Sequence, residues 1–154
     1  MTWRRSAATL FAAVLALAAA GAAQARAAGI VAFHTPSRNI YCAYAPSSDG
    51  YAPSIRCDIR VRQWRPPRKP ASCSVDYGQG LSLTAVPKPG QKGAGRASVV
   101  CAGDTVLGLR GPALAYGSRF ARGGIACLSR VTGLTCRNAA GHGFFLSRQR
   151  YRLF

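Results

Sequence analysis

The side chains that could carry acid–base chemistry are few in this sequence. They are four aspartates and two histidines, namely Asp49, Asp58, Asp76, Asp104, His34 and His142. A general acid or base must lie within hydrogen-bond reach of the proton that it transfers. The sequence has no Gly-x-Ser-x-Gly nucleophile elbow and no closely spaced pair of carboxylates. These absences argue against the common hydrolase and glycosidase arrangements.

His142 is the strongest catalytic candidate, because it lies between Gly141 and Gly143, where the backbone is free to present the imidazole ring. Ser129 or Ser147 could lie near it. The other interpretation is a loop histidine whose small neighbours let the chain turn, and we favour this one. We therefore expect a non-enzymatic protein with no catalytic residue. An envelope hydrolase or enzyme inhibitor that uses His142 with an aspartate is kept as the alternative.

The second chemical feature is a set of six cysteines, an even number: Cys42, Cys57, Cys73, Cys101, Cys127 and Cys136. Such a set is typical of disulfide bonds formed in an oxidising compartment. No pair has Cys-x2-Cys spacing and only two histidines are present, so we expect neither a metal nor a cofactor. The sequence alone does not choose among the possible pairings. We favour the nearest-neighbour set, in which each bond contributes roughly 2.5 to 4 kcal/mol.

Charge is the most informative feature of the composition. The 154-residue chain has 21 lysines and arginines against 4 acidic residues, a net charge of +17. Arginine outnumbers lysine 18 to 3, and arginine forks suit phosphate, sulfate and carboxylate groups. We therefore expect an anionic partner, such as lipopolysaccharide, an anionic lipid or a wall polymer, and no specific nucleic acid. The alternative is that the arginines, which are spread along the chain, only form a solvated surface.

The predicted anion-binding residues begin in residues 54–62, which alternate apolar and charged side chains at the period of two typical of a half-buried strand. We expect Asp58 to neutralise part of the cationic face through a surface ion pair worth about 0 to 1 kcal/mol. The proline-rich residues 63–70 are expected to be extended, with Trp64 either offered to a partner or, as we favour, filling the core. The predicted anion-binding residues are Arg56, Arg60, Arg62, Arg65, Arg68 and Lys69, and a further basic segment holds Arg148, Arg150 and Arg152.

The first 25 residues have the three regions of a secretory signal peptide. Arg4 and Arg5 precede an alanine-rich apolar run, and Ala23 and Ala25 supply the small residues before a cleavage point between Ala25 and Arg26, with Ala27/Ala28 as the alternative. The apolar run is shorter than the roughly 20 residues that span a bilayer. We predict that residues 1–25 are cleaved and that residues 26–154 form a single exported domain, periplasmic or extracellular, without a transmembrane segment. Loss of the two arginines lowers the net charge from +17 to +15.

Turn-forming residues separate short runs with strand character along the exported part of the chain. The C-terminal part contains a hairpin with one cysteine on each arm, followed by a third apolar run at residues 143–146. We predict an all-β fold, a small disulfide-stapled antiparallel sandwich or a barrel-like domain. The other predicted strands are residues 30–34, 40–45, 54–62, 81–86, 97–101 and 105–109.

Two segments share a pattern that indicates either an internal repeat or a coincidence. Residues 39–42 and 124–127 both place an isoleucine two residues before a cysteine, and each is followed by a second cysteine on a later predicted strand. If the pattern is real, the protein contains two disulfide-stapled strand pairs of similar design.

Several motifs together resemble a known family: Phe33-x-Thr35-Pro36-Ser37-x-Asn39-Ile40-x-Cys42, Arg56-Cys57-Asp58-Ile59, Gly103-Asp104-Thr105, Tyr116-Gly117, Gly124-Ile125-x-Cys127, Thr135-Cys136-Arg137-Asn138 and Gly141-His142-Gly143-Phe144-x-Leu146-Ser147. The family consists of small secreted, cysteine-containing bacterial domains of unknown function. The resemblance covers most of residues 30–150. It implies an exported, disulfide-bonded domain and a glycine where this sequence has Arg38, and it implies no activity.

Overall fold

The computed structural model describes residues 29–154 as ten strands in two antiparallel sheets, with no helix in that range. The first sheet contains, in spatial order, β1 (Val31–His34), β2 (Ile40–Ala45), β3 (Ser54–Ile59), β4 (Tyr77–Thr84) and β5 (Ala97–Cys101). The second contains β6 (Arg119–Arg122), β7 (Ile125–Arg130), β8 (Gly133–Asn138), β9 (Gly143–Leu146) and β10 (Tyr151–Leu153). The predicted all-β fold class is confirmed. The predicted signal peptide lies outside the described residues.

One hydrophobic core lies between the two sheets, because alternate side chains of each strand point inward. Both sheets contribute side chains with 0% exposure: Ile55, Leu81 and Leu83 from the first, and Leu134, Phe144 and Leu146 from the second. Burial of a side chain of this size stabilises the fold by about 1.5 to 3 kcal/mol. The fold is therefore a sandwich whose outer faces remain available for other roles.

Three disulfide bonds join the cysteines in the predicted nearest-neighbour set. Two of them connect directly opposed residues of neighbouring strands: Cys42 with Cys57 across β2 and β3, and Cys127 with Cys136 across β7 and β8. Their Cα atoms are 4.1 and 4.0 Å apart. The third bond, between Cys73 and Cys101, ties the segment before β4 to the end of β5. The first two bonds therefore fix the register at the centre of each sheet.

The two sheets repeat one register around these bonds. Phe33 pairs with Cys42 in the first sheet, and Phe120 pairs with Cys127 in the second. The two phenylalanine rings contact each other across the core, with their centroids 4.9 Å apart. The shared isoleucine–cysteine pattern thus lies on corresponding strands, β2 and β7.

The residues that directly follow Cys57 on β3 and Cys136 on β8 also occupy corresponding positions. Asp58 faces Gly80 on β4, and Arg137 faces Gly143 on β9. A Cβ atom at Gly80 would meet the carbonyl oxygen of Cys57, and one at Gly143 would meet that of Cys136. The close approach of the strands therefore requires glycine at both positions. The same backbone position therefore carries opposite charges in the two sheets.

Two predicted strands, 54–62 and 81–86, have wrong boundaries. β3 ends at Ile59 rather than at residue 62, because Arg60 N donates to Asn39 O at 2.8 Å and Val61 N donates to Asn39 Oδ1 at 2.9 Å. The first bond continues the β2–β3 register, whereas in the second the Asn39 side chain stands in for a backbone partner, and the regular ladder stops there. β4 begins at Tyr77, earlier than the predicted residues 81–86.

The predicted strand at residues 105–109 does not exist. Val106 N donates to Asp58 Oδ2 at 3.0 Å, and Leu109 N donates to Val106 O at 3.2 Å, so the backbone bonds of this segment are used in a loop. Conversely, β6 and β10 were not predicted as strands. Both are short edge strands in which arginines interrupt the apolar residues that would have indicated them.

Candidate anion-binding surfaces

Arg56, one of the predicted anion-binding residues, is held by two aspartates. Its Nε and Nη2 atoms donate to Oδ1 and Oδ2 of Asp58 at 3.0 and 2.9 Å, and its Nη1 donates to Asp104 Oδ1 at 2.6 Å. Asp58 is 0% exposed, and it also accepts bonds from Thr105 Oγ1 at 2.9 Å and Val106 N at 3.0 Å. The expectation of a surface ion pair at Asp58 is therefore wrong, because the connection after β5 closes over it. The N–H donors of the Arg56 guanidinium are therefore bonded to carboxylates of the protein rather than to an external anion.

The charges of this cluster shift the titration of its members. Burial by itself would lower the pKa of Arg56, but hydrogen bonds with Asp58 and Asp104 outweigh it and raise the pKa. The hydrogen bond and the positive charge of Arg56 lower the pKa of Asp104 below its ordinary value of 3.8. Arg56 and Asp104 are therefore both charged at neutral pH, and their pairing holds the loop against the sheet.

The other predicted anion-binding residues are called the basic arm: Arg60, Arg62, Arg65, Arg68 and Lys69. Arg60 lies over the Tyr41 ring with its Cζ atom 5.3 Å from the centroid, and Arg62 lies 5.0 Å from the centroid of Trp64. Arg65, Arg68 and Lys69 are exposed. No ion pair involves the arm within residues 29–154. That these residues bind an anion stays a prediction.

Trp64 fastens the basic arm to the second sheet. Its Nε1 atom donates to Ser147 O at 2.8 Å, and its ring lies 4.6 Å from that of Tyr151, centroid to centroid. The backbone N of Gln63 donates to Arg148 O at 2.7 Å. Trp64 is half-buried against the hydrophobic core. The packing therefore supports the interpretation in which Trp64 fills the core.

The outer face of the second sheet carries four exposed arginines, called the arginine face below: Arg119, Arg130, Arg137 and Arg152. Cross-strand partners share a face of a sheet. The register places one row of side chains across all five strands: Arg119, Leu128, Thr135, Phe145 and Arg152. Strands lie about 4.8 Å apart, so the two ends of this row are separated by about 19 Å. A linear polymer is the kind of ligand that matches such a row.

Aromatic rings interleave with these cations. The Cζ atoms of Arg137 and Arg152 lie 4.5 and 5.3 Å from the ring centroid of Phe154. The Cζ atom of Arg150, at the rim, lies 5.5 Å from the Phe145 centroid. Stacking of this kind restrains a guanidinium group and leaves its N–H donors free for phosphate, sulfate or carboxylate oxygens.

A groove of about 460 Å³ on this face is bounded by Arg119, Arg130 and Arg137, and Ala126, Leu128 and Thr135 also line it. Residues 105–154 contain eight arginines and no aspartate or glutamate. Within the described part of the chain, no ion pair involves the four arginines of the face. The groove is therefore cationic, with donors that fit an external anion.

Arg152 belongs to the C-terminal basic segment identified from the sequence, but the arginine face was not predicted as a surface. Arg119 lies on β6, which was not predicted as a strand, and the register that aligns it with Arg152 depends on β10, also unpredicted. The signal that could have found the face is the absence of acidic residues after Asp104, combined with the alternation along β7 and β8.

His142 lies in the turn between β8 and β9 and is half-buried. Its backbone N donates to Asn138 Oδ1 at 3.1 Å, and its carbonyl accepts a bond from Asn138 N at 2.9 Å. The hydroxyl of Ser147 bonds the backbone of Arg150, and that of Ser129 is buried. Among residues 29–154, no hydrogen bond or ion pair links the His142 ring to a serine or an aspartate. The turn geometry alone accounts for the surroundings of His142.

Asn138 is the polar residue that joins the two sheets. Its Nδ2 atom donates to Thr84 O at 3.1 Å and to Gly95 O at 2.7 Å, and its Oδ1 accepts from the backbone of Ala140 and His142. The side chain thus crosses from β8 to β4, and all four of its bonds are made inside the protein. Its role in the described structure is to hold the sandwich together.

Residues 29–154 contain neither a cluster of candidate metal ligands nor a helix that could span a membrane. The histidines, cysteines and aspartates there form no group of three or more that could hold a metal ion. Over the same range, no helix has the length and apolarity needed to cross a membrane.

The fold and its surfaces define a class of protein: a disulfide-bonded β-sandwich with one open, arginine-rich sheet face. Three disulfide bonds are typical of proteins that fold in an oxidising environment. Residues 9–154 match DUF6636, a family of unknown function, and the chain belongs to this family. No curated protein and no solved structure matches the chain.

Proposed function

We propose that the protein is a non-enzymatic, exported domain that binds an anionic polymer of the cell envelope or the extracellular space through its arginine face. The observation that carries the proposal is the row of cations and aromatic rings across β6–β10, in a part of the chain without acidic residues. Export to the periplasm or the cell exterior is supported by the three disulfide bonds.

The basic arm is a second cationic surface that an anionic polymer could contact. It is fastened to the second sheet through Trp64, and four of its five side chains are exposed. The arginine face is the stronger candidate, because its arginines surround a groove on a strand framework. Side chains on a rigid sheet lose less conformational freedom on binding than those of an extended segment.

The test is a binding panel with the purified, oxidised protein. Lipopolysaccharide, anionic vesicles, peptidoglycan with anionic wall polymer, and DNA are titrated across a salt series, with a neutral polysaccharide as the control. One anionic ligand is expected to remain bound at physiological ionic strength while the others are lost. Binding of every anion at low salt and of none at physiological salt would overturn the proposal, because that is the behaviour of nonspecific attraction.

The panel is repeated with the Arg137→Ser variant and with Arg110→Ser as a matched control. Arg137 lies in the centre of the arginine face, whereas Arg110 is exposed on the connection between β5 and β6. Each substitution removes one positive charge, so nonspecific attraction falls equally in both. Weaker binding of the retained ligand by Arg137→Ser alone is the expected result.

A further inference from the structure

A second groove of about 460 Å³ lies at one end of the sandwich, where turns from both sheets meet. Its walls come from the β1–β2 turn, the β7–β8 turn and the segment between β9 and β10, and Val61 and Tyr116 complete the lining. Its position is distinct from that of the arginine face, although Arg130 borders both grooves.

Several polar side chains in the wall are committed to the protein. Asn39 uses its Nδ2 and Oδ1 atoms on the backbone of Val61, at 3.0 and 2.9 Å. The Ser147 hydroxyl bonds the backbone of Arg150, and Thr35 Oγ1 accepts from Ile40 N at 3.2 Å. These bonds hold the frame of the groove in place, so its shape is set before a ligand binds.

Other polar groups in the lining have no such bonds. In the hydrogen-bond network of residues 29–154, the side chains of five lining residues make none: Tyr116, Arg130, Thr132, Arg148 and Gln149. This set combines two guanidinium groups, which are donors, with two hydroxyls and one amide, which can both donate and accept. These donors and acceptors are therefore free to bond an external partner.

Exposed apolar surface borders the same groove. Val61 is 47% exposed, Val131 is 79% exposed and Tyr116 is 42% exposed. Binding sites for small ligands combine apolar side chains with a few polar groups that fix the orientation of the ligand. A ligand for this groove should therefore combine apolar C–H surface with many hydroxyl groups and at least one negative charge.

We propose that the end groove binds an acidic saccharide, a sugar unit that carries a carboxylate or a sulfate. Arg130 and Arg148 bind the anionic group, Thr132 and Gln149 bind ring hydroxyls, and Tyr116 packs on the C–H face of the sugar. A guanidinium fork matches the two oxygens of such an anion. The inference goes beyond polymer binding by the arginine face and shares only Arg130 with it.

The experiment is an NMR titration of the oxidised protein at constant physiological ionic strength with four trisaccharides. They are trigalacturonate, its methyl ester, a sulfated galactotriose and neutral galactotriose. One or both acidic sugars are expected to bind and to shift the amide signals of residues 131–133 and 147–149, and the two acidic arms identify the anionic group. Binding of the ester or the neutral sugar as tightly as the acids, shifts confined to other regions, or no binding at all would overturn the proposal.

Variants separate this site from the arginine face. Arg148→Ser and Gln149→Ala are expected to weaken trisaccharide binding at least tenfold and about threefold, and Arg110→Ser is expected to leave it unchanged. Arg137→Ser, which affects the arginine face, is also expected to leave trisaccharide binding unchanged. Loss of trisaccharide binding in Arg137→Ser but not in Arg148→Ser would refute the end groove and assign the sugar to the arginine face.

Discussion

The two sheets share one register but differ in the charge that follows the second cysteine. In the first sheet this residue is Asp58, which is 0% exposed and pairs with Arg56. In the second sheet it is Arg137, which is exposed and stacks on Phe154. Each faces a glycine on the next strand, so the backbone surroundings match.

The difference follows from what covers each outer face. The connection after β5 closes over the first sheet, where Gln79 Nε2 donates to Ala102 O at 2.8 Å and Arg56 binds Asp104. Within the described residues, no connection makes comparable bonds over the centre of the second sheet. A repeated scaffold thus provides one closed, neutralised face and one open, cationic face. We propose that the first face contributes mainly to stability and that the second binds a ligand.

The largest expected difference is in the free energy of unfolding, when Asp58 and Arg137 are each replaced by a neutral residue. Asp58→Ala should lower the free energy of unfolding by about 3 to 5 kcal/mol, because it breaks a buried ion pair and leaves the donors of the loop without their acceptor. Arg137→Ser should change it by less than about 1 kcal/mol, since it removes only an exposed cation–π contact. Urea denaturation measures both values, and equal losses would contradict the division between the sheets.

Removing the disulfide bonds should affect the two sheets almost equally. In the chain-entropy model, the loop separations of 15 and 9 residues give losses of about 3.0 kcal/mol for Cys42→Ser/Cys57→Ser and about 2.6 kcal/mol for Cys127→Ser/Cys136→Ser. The longer separation of 28 residues gives about 3.6 kcal/mol for the pair Cys73 and Cys101. Denaturant unfolding of the three double variants tests this order. A Cys127/Cys136 variant that is the least stable of the three would show that the loop model fails here.

The turns that open the two sheets provide a smaller contrast. Gly123 before β7 and Arg38 before β2 both have φ of 53°, a left-handed conformation that favours glycine. Gly123→Ala should cost about 1 to 2 kcal/mol from backbone strain alone, and its side chain would also meet the Tyr44 hydroxyl. Arg38→Gly should stabilise by up to about 1 kcal/mol, because it relieves the strain that arginine carries there. Thermal unfolding compares the two, and a destabilised Arg38→Gly variant would show that the arginine side chain contributes more than its strain costs.

The smallest expected effect is a pH dependence confined to the closed face. The pKa of Asp104 is lowered in the folded state, so its bond with Arg56 stabilises the fold above the ordinary pKa of 3.8, and the contribution is lost as the pH falls through the folded pKa. The wild-type protein should therefore lose a little more stability than Asp104→Asn between about pH 5 and pH 2. Unfolding curves at several pH values check this. Parallel loss in both proteins would mean that the exposed Asp104 contributes nothing measurable.

The sequence predicts the strands and bonds that follow local rules. The alternation of Ile55, Cys57 and Ile59 marks β3, and the cysteine spacing favours the pairing that the structure has. The sequence does not predict which of two similar faces is covered. Coverage depends on a long-range hydrogen bond, in which Val106 N donates to the carboxylate of Asp58, 48 residues away in the chain.

The same limit applies to the candidate sites. A charged strand next to a proline-rich segment is visible in the sequence, and it predicts the basic arm as an anion-binding segment. The same pattern includes Arg56, whose guanidinium group is bonded to Asp58 and Asp104 in the structure. The arginine face depends on the cross-strand register of short edge strands, and the end groove depends on turns from both sheets. Neither arrangement has a local sequence signal that would bring Arg119 next to Leu128, or Ser37 near Arg148.

The most direct test compares two variants that remove the same charge from the two cationic surfaces. One replaces Arg119, Arg130, Arg137 and Arg152 with serine, and the other replaces Arg60, Arg62, Arg65 and Arg68 with serine. The measurement is the slope of log affinity against log salt concentration for the anionic polymer of the panel that stays bound at physiological ionic strength. The arginine-face variant should flatten the slope by about 2 to 4, since each lost contact with an anionic group of the polymer removes up to about 0.9, while the basic-arm variant should change it by less than about 1. A basic-arm variant that flattens the slope as much as the arginine-face variant would contradict the account.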